Sequence, residues 1–278
     1  MTAVDISIRG IDGQAEMRAV EQLQKEVWGV PDLDVVPLTQ LVAARASGGV
    51  LLGAFDQKIL IGFAYGFAGF EHGRATHHSH MLAVKQAYRS YSVGYRLKLA
   101  QRDFVLAQGI GEMTWTFDPL QSINAYFNFN RLGVMSNRYL VDFYGVDAAS
   151  FLHRNGTDRL WVTWPLASQR VKERLERRAV QTEFEEAESL VDVAKNNAPR
   201  YHEVNLATIG DVAFIEIPAQ IKEIERRSLE LAADWREATR TAFTKAFDAG
   251  FVVIDFVRGS ETGKYVLSRA QTMEELAV

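Results

Sequence analysis

Apolar residues recur along the chain at two spacings, every second position and every third or fourth, which predict strands and helices respectively. Strands are predicted at 5–10, 50–55, 59–67, 77–84, 113–117, 134–144 and 159–166. Helices are predicted at 15–28, 38–46, 95–109 and 124–133. The short connection Asp56-Gln57-Lys58 favours a hairpin, so the first three strands are expected to be antiparallel. The pattern predicts an α+β fold.

The last two fifths of the chain show a different pattern. Residues 168–200 are rich in charges of both signs, and 171–178 is predicted to be a solvated helix or linker. A strand at 212–217, one long helix from Ile221 to Ala246 closed by Gly250, and strands at 251–257 and 264–268 follow. We expect a first domain at 1–167, a charged helical linker at 168–200 and a C-terminal α+β subdomain at 201–278.

The stretch from His77 to Gly109 organises the first domain. It is predicted to be a strand, a turn rich in small and polar residues, and a helix with apolar residues at Val93, Leu97, Ala100, Phe104 and Ala107. Gly109 ends that helix, as a glycine past the last turn commonly does. A helix start leaves backbone N–H groups unpaired and carries the positive end of the helix dipole. The turn therefore favours a phosphate ligand.

Composition excludes several classes of protein. The chain has 278 residues, a net charge of −4 and no cysteine, so disulfides, thiolate metal sites and a cysteine nucleophile are ruled out. The interspersed charges give no footprint for nucleic acid and no basic patch for a membrane. Met1 to Gly13 lacks an apolar stretch of signal-peptide length, and no window approaches a membrane span. We expect a cytoplasmic protein with no nucleic-acid or membrane partner.

Two motifs then give a resemblance to a known family. The turn Arg89-Ser90-Tyr91-Ser92-Val93-Gly94 resembles the pyrophosphate loop of the GNAT acyltransferase superfamily, Gln/Arg-x-x-Gly-x-Gly/Ala. The stretch from Met113 to Gly133, with Asn124-Ala125 and Leu132-Gly133, resembles the second half of the GNAT signature. The finer pattern around Asp118-Pro119-Leu120 resembles a bacterial subfamily with an additional C-terminal region.

The resemblance implies a GNAT fold, which is an α+β fold with a mixed sheet, and an acyl-CoA cosubstrate, with no metal. Leu82 would bind the thioester carbonyl through its main chain, and the turn would bind the pyrophosphate. The residues implied in CoA binding are Leu82, Ala83, Val84, Arg89, Ser90, Tyr91, Ser92, Val93, Gly94, Tyr95, Asn124 and Asn128. Ser92 stands where the family has its first glycine, which a small residue tolerates if its φ is negative. Asn124 would bond the pantetheine arm or, alternatively, cap a helix.

Acyl transfer to an amine also needs a base. Strand alternation predicts that His78, His80 and Leu82 share one face. The resemblance puts His78 where some members carry a carboxylate, and an ordinary imidazole pKa suits a base near neutral pH. His80 is a second candidate, and Glu71 and Asp118 are held in reserve. Tyr126 is the candidate acid, because Phe129 occupies the place of the family's tyrosine.

The histidines allow other interpretations. His72, His77, His78 and His80 fall within nine residues, which would suit a metal site, but carboxylates at clear ligand spacing are missing. A surface or hydrogen-bonding role for any of them is an equal alternative to catalysis.

The resemblance implies an acyl-CoA-dependent N-acyltransferase that moves an acetyl group, or alternatively succinyl, to a small amine such as an amino acid. Arg74, Arg131, Arg138 and Arg159 are candidates to bind a carboxylate. The alternative is a non-catalytic acyl-CoA-binding or structural protein. Residues 212–268 repeat the order strand, helix, glycine, strand, which suggests either a degenerate second GNAT-like half or an unrelated extension. The acceptor and the oligomeric state, a homodimer included, stay open.

Overall fold

The computed structural model describes residues 5–71, 73–145, 155–177 and 187–277. The chain divides between Trp115 and Thr116 into two compact units. This division differs from the domain boundaries at 167 and 200, which stay a prediction. Each unit is described below by itself.

The first unit contains helices and strands that agree with the sequence pattern to within a few residues. Its elements are β1 (Ile6–Gly10), α1 (Gly13–Trp28), α2 (Leu38–Ala46), β2 (Val50–Asp56), β3 (Ile59–Glu71), β4 (Arg74–Val84), α3 (Val93–Ala107) and the start of β5 (Glu112–Phe117), with short 3-10 turns at Asp32–Asp34 and Gln86–Tyr91. Strands β1 to β4 pair in order and antiparallel. Strand β5 runs parallel to β4, and the two pair only at His77–Met113 and His78–Thr114. The predicted α+β class with a mixed sheet is confirmed.

Helices α1 and α2 cover one face of this sheet. The apolar stripe of α1, Met17, Val20 and Leu23, is buried against the sheet, as its spacing predicts. Helix α1 ends at Gly29, whose φ of 64° allows its N–H to bond Lys25 O. Trp28 packs edge-on against Phe63 of β3.

Helix α3 covers the other face, but its buried stripe is not the predicted one. Val93 and Leu97 are buried as expected, whereas Phe104 is 40% exposed and Ala107 is exposed. Lys98, Gln101 and Val105 are buried instead. The stripe is rotated because Lys98 and Gln101 both form hydrogen bonds with Ser79 of β4 beneath the helix.

The second unit combines the end of the predicted first domain with the C-terminal region. A short helix α4 (Ser122–Ala125) continues into a π-helical segment (Tyr126–Leu132). Then come β6 (Met135–Leu140), β7 (Arg159–Pro165), α5 (Gln169–Leu175), β8 (Glu188–Val193), β9 (Pro199–Tyr201), β10 (Val212–Pro218), α6 (Ile221–Arg227), α7 (Leu229–Asp248), β11 (Val252–Arg258), β12 (Thr262–Ser268) and α8 (Met273–Leu276). Its strands follow the order β7-β6-β11-β12-β10-β8-β9, antiparallel except for the parallel pair β10–β8.

Three predictions for this unit are wrong in part. The expected single helix is two, because Ser228 leaves the helical conformation and its hydroxyl caps α7 at Leu231 N. The segment 168–200 contains β8 and β9 besides α5, so it is not wholly helical. Helix α5 is not solvated all round either, since Val171 and Arg174 are buried and Arg174 pairs with Asp255 at 2.6 Å.

Residues 145–158 show no periodic spacing of apolar residues, which predicts a surface loop, and 146–154 lie outside the described residues. Its end is not at the surface, because Thr157 and Asp158 are buried. Both side chains stabilise the turn that follows β6. Asp158 accepts a hydrogen bond from Asp142 N, and Thr157 accepts one from Tyr144 N.

The suggested repeat of the first unit differs in its strand arrangement. Strands β4 and β5, which flank α3, pair directly with each other. Strands β10 and β11, which flank α6 and α7, both pair with β12 instead. A shared origin of the two segments stays a prediction.

Among the helices of the described ranges, none is long and apolar enough to cross a membrane.

Candidate active site

The central strand β4 contains a bulge at His80. In its pairing with β3, Met81 lies opposite Tyr65 while Ser79 lies opposite Gly66, so His80 is the extra residue. A bulge changes which face the following side chains take. Gly66 permits this close approach, because a Cβ there would lie 2.4 Å from His77 Nε2 and 2.6 Å from His78 O.

The bulge separates Leu82 from the two histidines. Met81 and Ala83 pack into the core beneath α1 and α2. Leu82 and Val84 face the start of α3, where their methyl groups lie 3.4 and 3.9 Å from the position that a Cβ of Gly94 would take. The prediction of one shared face is therefore right for His78 and His80 and wrong for the Leu82 side chain.

The two histidines lie side by side among aromatic rings. Their centroids are 6.2 Å apart, and Phe67 lies 5.5 Å from His78 and 5.6 Å from His80. Tyr65 meets His80 edge-on at 5.9 Å. His78 is half-buried and its Nδ1 lies 3.2 Å from Thr114 Oγ1, whereas the side chain of His80 is exposed. His78 is thus the better oriented of the two.

These surroundings favour uncharged imidazoles. Burial, the neighbouring His80 and the charge of Lys98 lower the pKa of His78 to about 4. Removal from water among the rings also lowers the pKa of His80, although part of that side chain stays exposed. At neutral pH both rings are proton acceptors rather than cations.

The turn after β4 has the geometry of a ligand-binding turn with one departure. Arg89, Ser90 and Tyr91 are exposed, and Arg89 Nε bonds Val84 O at 3.3 Å. Ser92 precedes α3 without a side-chain cap, and the first turn of α3 holds no acidic residue. The φ of Ser92 is 56°, so the condition under which serine is tolerated in place of glycine, a negative φ, is not met. This is the left-handed conformation that glycine takes without strain.

Ser92→Gly is therefore expected to raise the free energy of unfolding by about 1 kcal/mol, because glycine removes the steric cost of the left-handed conformation. Urea unfolding followed by circular dichroism measures the change. Ser90→Gly is the matched control: Ser90 has no positive φ, so glycine there should lower stability. An equal loss of stability in both variants would contradict the inference that the backbone at Ser92 is strained.

The remaining predicted site residues belong to the second unit. Asn124 is exposed and is the third residue of α4, so the alternative that it caps this helix is wrong, since the cap position is Gln121. Asn128 is buried and Tyr126 half-buried in the π-helical segment. Such segments are frequent at functional sites. The roles of these three residues in CoA binding and proton donation stay predictions.

Phe129, in the place of the family's tyrosine, is a core residue. It is fully buried and lies 6.2 Å from Phe117 and 5.7 Å from Tyr265, ring to ring. Its position supports packing within this unit.

The reserve candidate Asp118 is held in an ion pair. Its Oδ1 accepts from Arg236 Nη1 at 2.8 Å and from Leu120 N at 3.0 Å. Burial is the largest single effect and raises the Asp118 pKa, but the charge and hydrogen bond of Arg236, together with the Leu120 N–H, lower the pKa by more. A carboxylate so occupied is a poor base. Glu71, the other reserve candidate, lies half-buried at the end of β3.

The four candidate arginines lie in different surroundings. Arg74 is exposed at the start of β4. In the second unit, Arg131 lies in the π-helical segment, Arg138 rests over the Trp161 ring, and Arg159 is buried against Asp158 O and the Tyr144 ring. A carboxylate-binding role stays a prediction for each.

An ionic cluster in the second unit was not foreseen from the sequence. The fully buried Asp158 accepts from Tyr139 Oη at 2.7 Å and from Arg240 Nε and Nη2 at 2.8 and 2.9 Å. Arg236 and Arg240 lie one turn apart on α7, at the spacing that puts two side chains on one helix face. That spacing was the available signal, but nothing in the sequence pairs them with Asp118 and Asp158.

The proposed metal alternative has no support among the described residues, where no three ligating side chains form a cluster. His72 lies outside the described residues.

The comparisons with known proteins concern the fold. No family model matches the sequence, and a search of curated proteins finds no match. Solved structures match the N-terminal three fifths. A GNAT-family protein from Desulfovibrio desulfuricans shares 15% identity over 59% of this chain and 100% of its own, with a TM-score of 0.48. The ribosomal-protein-S18-alanine N-acetyltransferase of Escherichia coli shares 11% identity over 59% of this chain and 96% of its own, with a TM-score of 0.47.

A third structure, Arabidopsis thaliana Naa50 with a bisubstrate analogue, shares 17% identity over 58% of this chain and 98% of its own, with a TM-score of 0.45. The matched structures are acetyltransferases, and they cover the N-terminal part of this chain. The C-terminal extension is not matched.

Proposed function

We propose that this protein is an acyl-CoA-dependent N-acyltransferase that moves an acetyl group to the amine of a small molecule. The observation that carries the proposal is the course of β4 within the first unit. The strand loses its pairing with β5 after His78, bulges at His80 and leads through the GNAT-like turn into the uncapped start of α3.

The turn supports the binding half of the proposal. The first backbone N–H groups of a helix have no partner within the helix, and its dipole favours an anion there. No acidic side chain lies in the first turn of α3 to oppose a phosphate. The exposed Arg89 adds a positive charge one turn before the helix. A pyrophosphate group suits these donors.

The histidines support the chemical half. If Nδ1 of His78 donates its proton to Thr114 Oγ1, Nε2 is the basic nitrogen. In the reaction the amine nitrogen bonds to the thioester carbonyl carbon and the C–S bond breaks. Nε2 takes the proton from the nitrogen, and CoA leaves as the thiolate. Backbone N–H groups beyond the paired part of β4 would stabilise the oxyanion.

An amino acid is the simplest acceptor for this proposal. A non-catalytic acyl-CoA-binding protein is the second candidate. Serine in a strained conformation at position 92 and the core role of Phe129 favour it, because both depart from the pattern of the catalytic family.

Acetyl-CoA is expected to stabilise the wild-type protein against thermal unfolding. At about a hundred times its dissociation constant, a ligand of the folded state adds about 2.7 kcal/mol, which is a rise of several degrees in Tm. Arg89→Glu should remove most of this rise, because it reverses the charge at the phosphate turn. Calorimetric scans with acetyl-CoA, succinyl-CoA and free CoA measure it.

Lys58→Glu is the control, because it makes the same change of charge at an exposed hairpin residue of the same unit. It should keep the full rise. No rise with any acyl-CoA, or a rise that Arg89→Glu leaves intact, would contradict CoA binding at this turn.

A further inference from the structure

Three aromatic side chains of β3 form a row that ends beside the two histidines. Phe63, Tyr65 and Phe67 occupy every second position, so they lie on one face of the strand. Phe63 is fully buried and Tyr65 is 1% exposed, and both belong to the core beneath α1 and α2. Phe67 packs against that core but is only partly buried. The row therefore leads from the core to the surface, and Phe67 is its outer member.

Phe67 lies against both imidazoles. Its ring centroid is 5.5 Å from that of His78 and 5.6 Å from that of His80, with angles of 35° and 47° between the ring planes. Gly69 is the next residue on this face of β3, and it has no side chain that could cover the ring. The exposed part of the Phe67 ring thus adjoins the imidazole that the proposed function assigns as the base.

The rings around the base are apolar in character. Phe67 also contacts Tyr65, with 6.1 Å between the ring centroids, and Tyr65 meets His80 edge-on. An amine nitrogen at His78 places its neighbouring carbon atoms beside Phe67, because the two rings are so close. A charged substituent there would leave water without a partner, which costs free energy. An aromatic substituent instead gains contact with ring faces and edges.

The charged side chains of these two strands lie away from the base. Apart from histidine, β3 and β4 contain one carboxylate and one guanidinium group, Glu71 and Arg74, which are opposite each other at the end of the hairpin. Each is four residues from the ring on its own strand, Phe67 or His78, which is about 13 Å along a strand. The two strands therefore offer an apolar surface, and no charged group, to a substituent next to the amine.

We propose that Phe67 determines the specificity for the acceptor, and that the acceptor is an amine with an aromatic ring, which packs on Phe67 while the nitrogen meets His78. The acylation of this amine rests on the proposed function. The binding of an aromatic amine beside the two histidines does not, so the two can be tested separately.

Binding is tested by NMR on the full chain labelled with 15N-histidine, with His78→Gln and His80→Gln used for assignment. Free CoA is present, so that no acyl group can be transferred. Phenethylamine should shift the signals of both rings in a saturable manner, because its own ring lies against them. Ethylamine, which differs only by the missing phenyl ring, should not shift them at the same concentration.

Variants of β3 locate the binding surface. Phe67→Ala should weaken the binding of phenethylamine about tenfold or more, because the apolar contact surface is lost. Phe70→Ala is the matched control: Phe70 is on the same strand and 75% exposed, but it lies on the opposite face. It should leave binding unchanged. Should Phe67→Ala fail to fold, Phe67→Leu keeps most of the apolar volume and should also weaken binding, though less.

Acyl transfer gives a second readout. In the wild type, kcat/KM should be higher by about tenfold or more for phenethylamine than for ethylamine, and for phenylalanine than for alanine. Phe67→Ala should abolish most of this preference while KM for acetyl-CoA stays unchanged.

The outcomes separate this proposal from the proposed function. Equal shifts with phenethylamine and ethylamine, or phenethylamine binding that the Phe67 variants leave intact, would overturn the aromatic site. Acyl transfer to both amines at equal rates would overturn it too, while the proposed function would stand. Saturable binding of phenethylamine without acyl transfer to any amine would support the aromatic site and refute the proposed function.

Discussion

Replacing Asp158 with asparagine is expected to lower the free energy of unfolding by about 3 kcal/mol, because hydrogen bonds to a charged group contribute about 1.5–3 kcal/mol each and this buried carboxylate accepts several. Asp158 is fully buried, and both of its carboxylate oxygens accept hydrogen bonds from Arg240. It also accepts from Tyr139 Oη and Asp142 N. Asparagine keeps the shape but loses one acceptor and the charge.

Chemical unfolding of wild type and variant measures this loss. Glu237→Gln is the matched control, since Glu237 contacts the same Arg240 at 3.5 Å but is 67% exposed. Exposed pairs contribute less than about 1 kcal/mol. A loss no greater than that of the control would refute a structural role for the pair.

The ion pairs bear on the role of the C-terminal region. Arg236 and Arg240 lie on α7, while Asp118 and Asp158 come from the part of the chain that carries the GNAT-like motifs. Tyr265 of β12 likewise donates to Pro119 O at 2.6 Å. The C-terminal residues thus contribute to the packing around Asp118, Pro119 and Asp158.

Replacing His78 with glutamine is expected to lower kcat/KM for acyl transfer by between a hundredfold and ten-thousandfold, the range in which a general base contributes. His78 is the histidine that Thr114 orients, and its pKa of about 4 keeps it neutral at physiological pH. Protonation of His78 should therefore not lower the wild-type rate between pH 7 and about pH 5. The amine nitrogen loses its proton readily once it bonds to the carbonyl carbon, so a weak base suffices.

His80→Gln is the comparison for this variant. His80 is exposed and lies on the same face as His78, but no hydrogen bond orients it among those found in the described residues. Its replacement should cost less than tenfold. Steady-state kinetics, with Tm measured for each variant, separates a loss of chemistry from a loss of folding. Equal losses, or a greater loss in His80→Gln, would assign the base to His80.

Local pattern predicted most helices and strands, because the spacing of apolar residues determines them. Helix α2 was predicted at its observed bounds, Leu38–Ala46, and β7 to within one residue. The break at Ser228 was missed because the apolar spacing continues across it. The serine is a good helix cap, and that signal was weaker than the periodicity.

The site was less predictable than the fold. Alternation placed His78 and Leu82 together, but a bulge has no signature in the alternation itself and depends on the pairing with Gly66. The burial of Lys98 was missed because a charged residue is normally placed on the solvent face of a helix. Only the structure shows that Lys98 Nζ bonds Ser79 and lies over the ring of Trp115.

The central claim is tested most directly by release of CoA thiol from acetyl-CoA by the wild-type protein across a panel of small amines, amino acids included. Thiol release that requires an amine, with the N-acetylated product found by mass spectrometry in equal amount, is the predicted result. Acetyl-CoA that binds without thiol release for any amine would contradict catalysis and favour the non-catalytic binding protein.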